Sequence, residues 1–187
     1  MCGIIGWKSN TQRVNENIIR KMADAIAHRG PDGEGFYYSN DGSLCLAHKR
    51  LAIIDPENGH QPMKSLDEEL VITFNGAIYN FLELRRELVS LGHPIKSYSD
   101  TEVLIYAYKQ WGEKCLDRLN GMFSFVIHDK RKKILFGARD RLGEKPFYYF
   151  YNKKDTIDQL SSKRCLYFLG NRTHKKQLKD CSLTSPL

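Results

Sequence analysis

The sequence lacks the features that would place a protein in a membrane or hold it together with disulfides. Its 187 residues contain no apolar run near the ~20 residues of a membrane span. The N-terminus has no basic segment followed by a long apolar stretch, so no signal peptide is predicted. The five cysteines are odd in number and include no C-x-x-C pair, which argues against a disulfide framework or a zinc site. We therefore expect reduced thiols, a cytoplasmic location and no membrane contact.

A strong charge excess is also missing from most of the chain, although the net charge is +7. Residues from Tyr151 onward carry 8 of the 29 basic and 3 of the 22 acidic residues, so residues 1–150 have a net charge of only +2. The basic residues of this tail stand among Ser, Thr and Gln without interleaved aromatic residues. Single-stranded nucleic-acid sites usually combine the two, so we predict no nucleic-acid partner.

The composition, 41% hydrophobic and 27% charged, is typical of one globular domain with a core. Apolar residues recur at helical spacing over residues 14–28, 80–91 and 99–112. Capping-box patterns are predicted for the last two helices, formed by Asn80 with Glu83 and by Ser99 with Glu102.

Short apolar or alternating runs predict strands, mostly in antiparallel pairs. They cover residues 2–7, 35–38, 43–48, 50–55, 70–74, 122–128, 133–138 and 147–151. Asp41-Gly42 favours a hairpin turn between two of them. Because the helices lie between the pairs and do not follow every strand, we predict α/β layers with mainly antiparallel sheets.

The N-terminus carries a residue with chemical potential. If Met1 is removed, Cys2 offers both a thiol nucleophile and a free α-amine that can act as its base. The thiol titrates near ~8.5 and the amine near ~7.7 to 8.0, so part of the amine is free to accept the thiol proton at neutral pH. Taken alone, the residue is equally compatible with a small buried cysteine.

Eight separated stretches share their order and spacing with a known family. They are residues 2–6 (CGIIG), 28–33 (HRGPDG), 48–55 (HKRLAIID), 59–63 (GHQPM), 74–80 (FNGAIYN), 99–102 (SDTE), 119–123 (LNGMF) and 138–146 (ARDRLGEKP). Together they closely resemble the N-terminal glutaminase domain of glutamine-hydrolysing asparagine synthetases, which are class II glutamine amidotransferases. The resemblance covers residues 2–151.

The resemblance implies an α+β N-terminal-nucleophile hydrolase fold, a four-layer αββα sandwich with two mainly antiparallel sheets. It also implies hydrolysis of glutamine to glutamate and ammonia, with Cys2 as the nucleophile. The side-chain amide of Asn75 and the backbone N–H of Gly76 match the family's oxyanion hole. Donors of this kind are needed because negative charge develops on the amide oxygen in the transition state.

Substrate binding is assigned by the same resemblance to Arg50, Ile53 and Asp100. Arg50 matches the residue that binds the α-carboxylate of glutamine, for which a planar, permanently charged fork is suited. Asp100 matches the residue that binds the α-ammonium. The family usually has a second acidic partner where this chain has Ala77. For Arg29, fixing its loop and contacting the substrate both stay open.

The tail, residues 152–187, departs from the family and is expected to be a truncated or frame-shifted end, or a genuine short variant. The family would continue there into an ATP-pyrophosphatase domain, which this chain lacks. We expect no metal or organic cofactor in the glutaminase domain, since ATP and magnesium belong to the missing synthetase domain. A separate synthetase domain or subunit is a possible partner.

Two other interpretations stay open. Ala77 and the unusual tail are compatible with a non-catalytic module that binds glutamine or another protein. The same N-terminal domain also occurs in amidotransferase subunits that supply ammonia for another acceptor, such as a surface sugar.

Overall fold

The computed structural model of the protein describes residues 2–9, 12–52, 55 and 57–149, and the backbone of residues 166–167. In this part of the chain the β-strands are β1 Gly3–Lys8, β2 Gly33–Tyr38, β3 Leu44–Arg50, β4 Met63–Lys64, β5 Leu70–Ile78, β6 Gly121–Asp129, β7 Ile134–Arg139, β8 Tyr148–Tyr149 and β9 Leu166–Tyr167. The α-helices are α1 Glu16–Ala25, α2 Phe81–Ser90 and α3 Asp100–Trp111, and 3₁₀ helices cover Ala27–Arg29 and Gly112–Asp117. The three predicted helices are confirmed.

The strands form two antiparallel sheets and one small parallel pair. The first sheet has the order β1-β3-β2 and the second the order β4-β5-β6-β7, while β8 pairs with β9. The predicted hairpin turn joins β2 to β3. Its Gly42 has φ +69°, and the Asp41 carboxylate accepts a hydrogen bond from the Ser43 backbone nitrogen at 3.0 Å.

Two strand predictions need correction. The strand predicted over residues 70–74 continues to Ile78, because β6 provides antiparallel partners as far as Gly121. The extended segment predicted over residues 50–55 is a strand only at Arg50, which ends β3, since residues 51, 52 and 55 lie in a loop. That loop is shaped by hydrogen bonds to other loops, as described below. The tail lies outside the described residues except for β9.

Strand alternation sorts the core residues into an αββα sandwich of four layers. On the outer face of the first sheet, α1 packs on a cluster that contains Ile5, Trp7, Ile19, Ala23, Cys45 and Ala47. On the outer face of the second sheet, α2 and α3 pack on a cluster that contains Ile72, Phe74, Leu84, Leu104, Phe125 and Phe136. Between the sheets lie Ile4, Leu44, Leu46, Val71, Val126, Leu135 and Phe147. The predicted fold is confirmed.

The layer between the sheets is apolar at one end and polar at the other. Alternation places His48 and Arg50 on the inner face of β3, and Thr73 and Asn75 on the inner face of β5. His48 Nδ1 lies 3.2 Å from Thr73 Oγ1, and this hydroxyl donates to the Ala47 carbonyl oxygen at 3.3 Å. These bonds join the two sheets where the apolar end stops.

The predicted capping box at the start of α2 is wrong. The Asn80 side chain makes no hydrogen bond to the first turn of the helix. It donates instead to the Arg118 carbonyl oxygen at 2.9 Å and accepts from the Asn120 backbone nitrogen at 3.0 Å. The long-range contact replaces the local one and ties α2 to the loop before β6.

At α3 the predicted box is half correct. Ser99 caps the helix, since its hydroxyl accepts from the Thr101 backbone nitrogen at 3.2 Å. Glu102 reaches past Ser99 and accepts from the backbone nitrogens of Lys96 at 3.1 Å and Ser97 at 2.6 Å. It therefore orders the segment that leads into α3. No helix in the described ranges is long and apolar enough to cross a membrane.

Candidate active site

Cys2 lies directly before β1, at the polar end of the layer between the sheets. The Leu51 backbone nitrogen donates to Cys2 Sγ at 3.4 Å, and Sγ lies 3.6 Å from the Leu51 carbonyl oxygen. Arg29 Nε donates to the Cys2 carbonyl oxygen at 3.1 Å, so the residue is held from two sides. Its side chain is only partly buried. Met1 lies outside the described residues, and the release of the Cys2 α-amine stays a prediction.

The loop between Arg29 and β2 packs its backbone against the end of β3. A Cβ added to Gly30 would overlap the Lys49 carbonyl group, so only glycine fits there. The Asp32 backbone nitrogen donates to the Arg50 carbonyl oxygen at 2.9 Å, and the Asp32 carboxylate accepts from the Ala52 backbone nitrogen at 2.8 Å. The loop thereby sets the backbone on both sides of Leu51, the residue that contacts the thiol.

Arg50 ends β3 and is 8% exposed. Its Nη2 donates to the Asp55 carbonyl oxygen at 2.9 Å. Asp55 has φ +45°, and its carboxylate accepts from the Tyr98 backbone nitrogen at 3.0 Å. The guanidinium is thus held by a loop that is itself bound to the segment before α3. This arrangement brings the predicted carboxylate-binding side chain toward the α3 end of the site.

Asn75 is 1% exposed and lies on the inner face of β5. Its Nδ2 is buried and has no hydrogen-bond partner among the described residues. The directly opposite residue on β6 is Ser124, whose buried Oγ likewise has no such partner. A buried polar group without a partner costs ~1 to 3 kcal/mol. An amide donor held in this way fits the predicted oxyanion-hole role.

Three backbone N–H groups alternate along the edge of β5 that faces away from β6, at Phe74, Gly76 and Ile78. The Phe74 nitrogen donates to Gln61 Oε1 at 2.6 Å, and the Ile78 nitrogen donates to Asp100 Oδ2 at 3.1 Å. The strand β4 pairs only with the start of β5 and does not reach this point. The Gly76 N–H therefore lies between two side-chain acceptors, on an edge that no strand of the second sheet covers.

The residues next to Asn75 are constrained differently. A Cβ added to Gly76 would overlap the Met122 carbonyl oxygen, so this position has no room for a side chain. Ala77 shares the inner face of β5 with Asn75, stands opposite Met122 in the register and is only partly buried. A longer side chain at Ala77 would therefore extend toward the same side as the Asn75 amide.

Asp100 is the first residue of α3 and is 3% exposed. Burial raises the pKa of its carboxyl group to about 6, although backbone hydrogen bonds from residues such as Ile78 and Thr101 oppose the shift. A desolvated carboxylate gains most from a cationic partner. The carboxylate is thus suited to an ammonium group, as predicted from the sequence.

The structure brings Cys2, Arg50, Asn75, Gly76 and Asp100 to the strand ends and loops at one end of the sandwich. Ile53, the other predicted substrate residue, lies outside the described residues. Within the described ranges, no group of three or more His, Cys, Asp or Glu side chains is arranged to hold a metal ion. The absence of a cofactor requirement stays a prediction.

Sequence reasoning missed two residues that organise the site, Asp55 and Gln61. Both occur in the recognised stretches of residues 48–55 and 59–63, but nothing in their spacing indicates which backbone groups they bind. Gln61 connects β5 to α3, since its Nε2 donates to Thr101 Oγ1 at 3.2 Å. For Arg29, the contact with Cys2 supports a structural role, and its Nη2 is buried without a partner in the described part of the chain.

Comparison with known proteins gives consistent matches. The sequence profile of a family described as "Glutamine amidotransferase domain" matches residues 1–184. "Asparagine synthetase [glutamine-hydrolyzing] 3" of Bacillus subtilis is 43% identical over 153 residues, which cover 80% of this chain and 25% of that protein. "Putative asparagine synthetase [glutamine-hydrolyzing] 2" of Methanocaldococcus jannaschii is 41% identical over 174 residues, covering 84% of this chain and 33% of that protein. The chain thus spans a quarter to a third of the length of these relatives.

Solved structures show the same fold at much lower identity. The glutamine phosphoribosylpyrophosphate amidotransferase of Bacillus subtilis, solved with ADP and GMP, superposes with a TM-score of 0.64 at 20% identity. The match covers 78% of this chain and 38% of that one. At this identity the similarity concerns the fold alone.

Proposed function

This chain belongs to the family of glutamine amidotransferase domains, and we propose that it hydrolyses glutamine at Cys2 as the ammonia-donating part of an asparagine synthetase. The observation that carries the proposal is the unpartnered, buried amide of Asn75 beside the Gly76 N–H, on the strand next to the polar end of the sandwich. Two such donors suit the oxyanion that forms when an amide is attacked.

The reaction begins with the Cys2 thiol and the α-amine that loss of Met1 would free. The sulfur attacks the side-chain amide carbon of glutamine, and the thiol proton passes to the α-amine. The electron pair of the carbonyl moves to its oxygen, which Asn75 and Gly76 stabilise. When the tetrahedral intermediate collapses, the leaving nitrogen takes that proton and departs as ammonia, leaving a thioester. Water then hydrolyses the thioester to glutamate and restores the thiol.

Substrate orientation comes from two charged side chains at opposite ends of the site. The Arg50 guanidinium would bind the α-carboxylate of glutamine through two parallel hydrogen bonds. The desolvated Asp100 carboxylate would bind the α-ammonium. Ala77 supplies no second carboxylate, so the ammonium depends on Asp100.

Asparagine formation would require the part of the relatives that this chain does not cover. ATP, magnesium and aspartate would bind to that synthetase part, present as a further domain or as a separate subunit. Glutamine hydrolysis itself would need only the residues of this domain.

Steady-state release of glutamate and ammonia from glutamine tests the proposal. The protein with Met1 removed should release both in equal amounts, and Cys2→Ala should abolish release while leaving the fold intact. Asn75→Ala should lower kcat by ~10² to 10³ with a smaller change in KM, because an oxyanion donor acts mainly in the transition state.

Labelling with a glutamine-like electrophile provides a second test. Cys2 should react, whereas the buried Cys45 and Cys115 should not, because burial raises the pKa of both thiols to about 12. A correctly processed and folded protein that binds glutamine without releasing ammonia would instead support the non-catalytic alternative, which Ala77 motivates.

A further inference from the structure

Gln61 makes two hydrogen bonds that meet the site from both sides. Its Oε1 accepts from the Phe74 backbone nitrogen at 2.6 Å, and its Nε2 donates to Thr101 Oγ1 at 3.2 Å. Phe74 directly precedes Asn75 on β5, and Thr101 directly follows Asp100 on α3. One carboxamide therefore joins the strand of the proposed oxyanion donors to the helix of the proposed ammonium partner.

The contact also determines which N–H groups on the edge of β5 remain available. Gln61 occupies the donor at Phe74, and Asp100 occupies the donor at Ile78. The Gly76 N–H lies between them and is the donor left to face a ligand. Only a side chain with an acceptor for an N–H group and a donor for a hydroxyl group of Thr101 can complete this arrangement as glutamine does.

We propose that Gln61 is a positioning residue, which holds β5 and α3 in the one geometry where Gly76, Asn75 and Asp100 act on the same substrate. The inference rests on the proposed glutaminase activity. Gln61 touches no reacting atom in this scheme and acts only through Phe74 and Thr101. Its direct bond is to the β5 backbone, whereas it reaches Asp100 through the neighbouring Thr101 hydroxyl. Its loss should therefore affect turnover more than substrate binding.

Gln61→Met keeps the side-chain volume but removes both hydrogen bonds. A misplacement of about 1 Å at a catalytic group can cost ~10²-fold in rate, so we expect kcat for glutamate release to fall about ten- to hundredfold. KM should change less than about threefold. Gln61→Glu can still accept from both partners and should retain more of the turnover than Gln61→Met. Gln110→Met is the matched control, because Gln110 is an exposed glutamine of α3 that bonds only His93 among the printed contacts.

Thr101→Val tests whether the two bonds act as one bridge. If they do, the losses in kcat from Gln61→Met and Thr101→Val will not multiply in the double variant. Multiplying losses, or a wild-type kcat in Gln61→Met, would overturn the inference while leaving the proposed function in place. An inactive wild-type protein would instead contradict the proposed function.

Amide hydrogen exchange judges Gln61 independently of activity. In Gln61→Met the Phe74 amide should exchange faster, because its acceptor is gone, and the Gly76 amide should follow as the edge of β5 loosens. The corresponding amides in Gln110→Met should be unchanged. Unchanged protection at Phe74 and Gly76 in Gln61→Met would contradict the positioning role, whether or not the protein is active.

Discussion

The carboxylate of Asp100, at the start of α3, accepts a hydrogen bond from the backbone nitrogen of Ile78 at 3.1 Å, at the end of β5. The bond fixes one oxygen of the carboxylate and leaves the group inside the protein, where burial raises its pKa to about 6. This carboxyl group therefore changes charge close to physiological pH, unlike an ordinary aspartate.

Glutamine binding should weaken as the pH falls through about 6, because protonated Asp100 no longer attracts the α-ammonium. The Kd should be measured by calorimetry on Cys2→Ala, which binds without turnover. The expected rise approaches tenfold per pH unit below the pKa. In Cys2→Ala combined with Asp100→Asn, binding should be weak at all pH values in this range. An equal rise in both proteins would show that another group titrates.

Asp100→Asn should separate stability from binding. Because the pKa of Asp100 is raised from 3.8 to about 6, the folded state binds more protons than the unfolded state between these values. The contribution of Asp100 to the free energy of unfolding is therefore greatest at low pH and falls as the pH rises. Relative to wild type, Asp100→Asn should gain roughly 2 to 3 kcal/mol between about pH 4 and about pH 7. Urea unfolding at both pH values checks this, and a constant difference would contradict the shifted pKa.

Ala77→Glu should lower KM for glutamine with a smaller change in kcat. The added carboxylate would lie on the inner face of β5, on the same side as Asn75, and would give the α-ammonium a second partner. A charge-assisted hydrogen bond contributes ~1.5 to 3 kcal/mol, which corresponds to roughly ten- to hundredfold in affinity. Ala77→Gln, which has the same shape without the charge, is the control. Equal KM values for the two variants would mean that position 77 does not face the ammonium.

Arg50→Lys should raise KM for glutamine, because an ammonium group cannot make the two-pronged contact with a carboxylate. It would also lose the planar group that donates to the Asp55 carbonyl oxygen. We expect an increase of roughly tenfold or more, from the loss of one charge-assisted bond. Arg86→Lys, at an exposed position of α2, should behave like wild type. Steady-state kinetics decide the matter, and a normal KM in Arg50→Lys would remove Arg50 from the binding site.

Thr73→Val should destabilise the domain by ~1 to 3 kcal/mol, since it leaves buried groups of His48 and Ala47 without their partner. Because Thr73 has one proton and gives it to Ala47, His48 must donate from Nδ1. Burial lowers the pKa of His48 to about 3, so its ring is neutral in this role. Thr73→Ser keeps the hydroxyl and should retain most of the stability. Equal urea midpoints for the two variants would show that the hydrogen bonds between the sheets contribute nothing.

Local features of the fold could be predicted from the sequence. Apolar spacing located the three helices, and Asp41-Gly42 located a hairpin turn, because each depends on neighbours along the chain. The start of α2 could not be predicted in this way. Asn80 has the residue type of a cap, yet its side chain bonds to residues 118 and 120, whose proximity only the tertiary structure creates.

The candidate site was predictable as a set of residues but not as a geometry. The recognised motifs named Cys2, Arg50, Asn75 and Asp100. The bonds that hold these residues in place run between residues far apart in sequence, such as the one between Asp100 and Ile78. Gln61 shows the same limit, since a glutamine in a loop has no local signal for the strand and helix that it joins.

The lack of room for a side chain at Gly76 has a consequence for how sequence variation at the site should be distributed. In a library of random substitutions selected only for soluble expression, position 76 should accept glycine alone, because any Cβ would press against the Met122 carbonyl oxygen and push β5 away from β6. Position 75 should accept several small or polar residues under that selection. Under selection for glutamine-dependent growth, both positions should narrow to the residues of this chain. Invariance at Gly76 thus records the demands of the backbone, and invariance at Asn75 would record those of the chemistry.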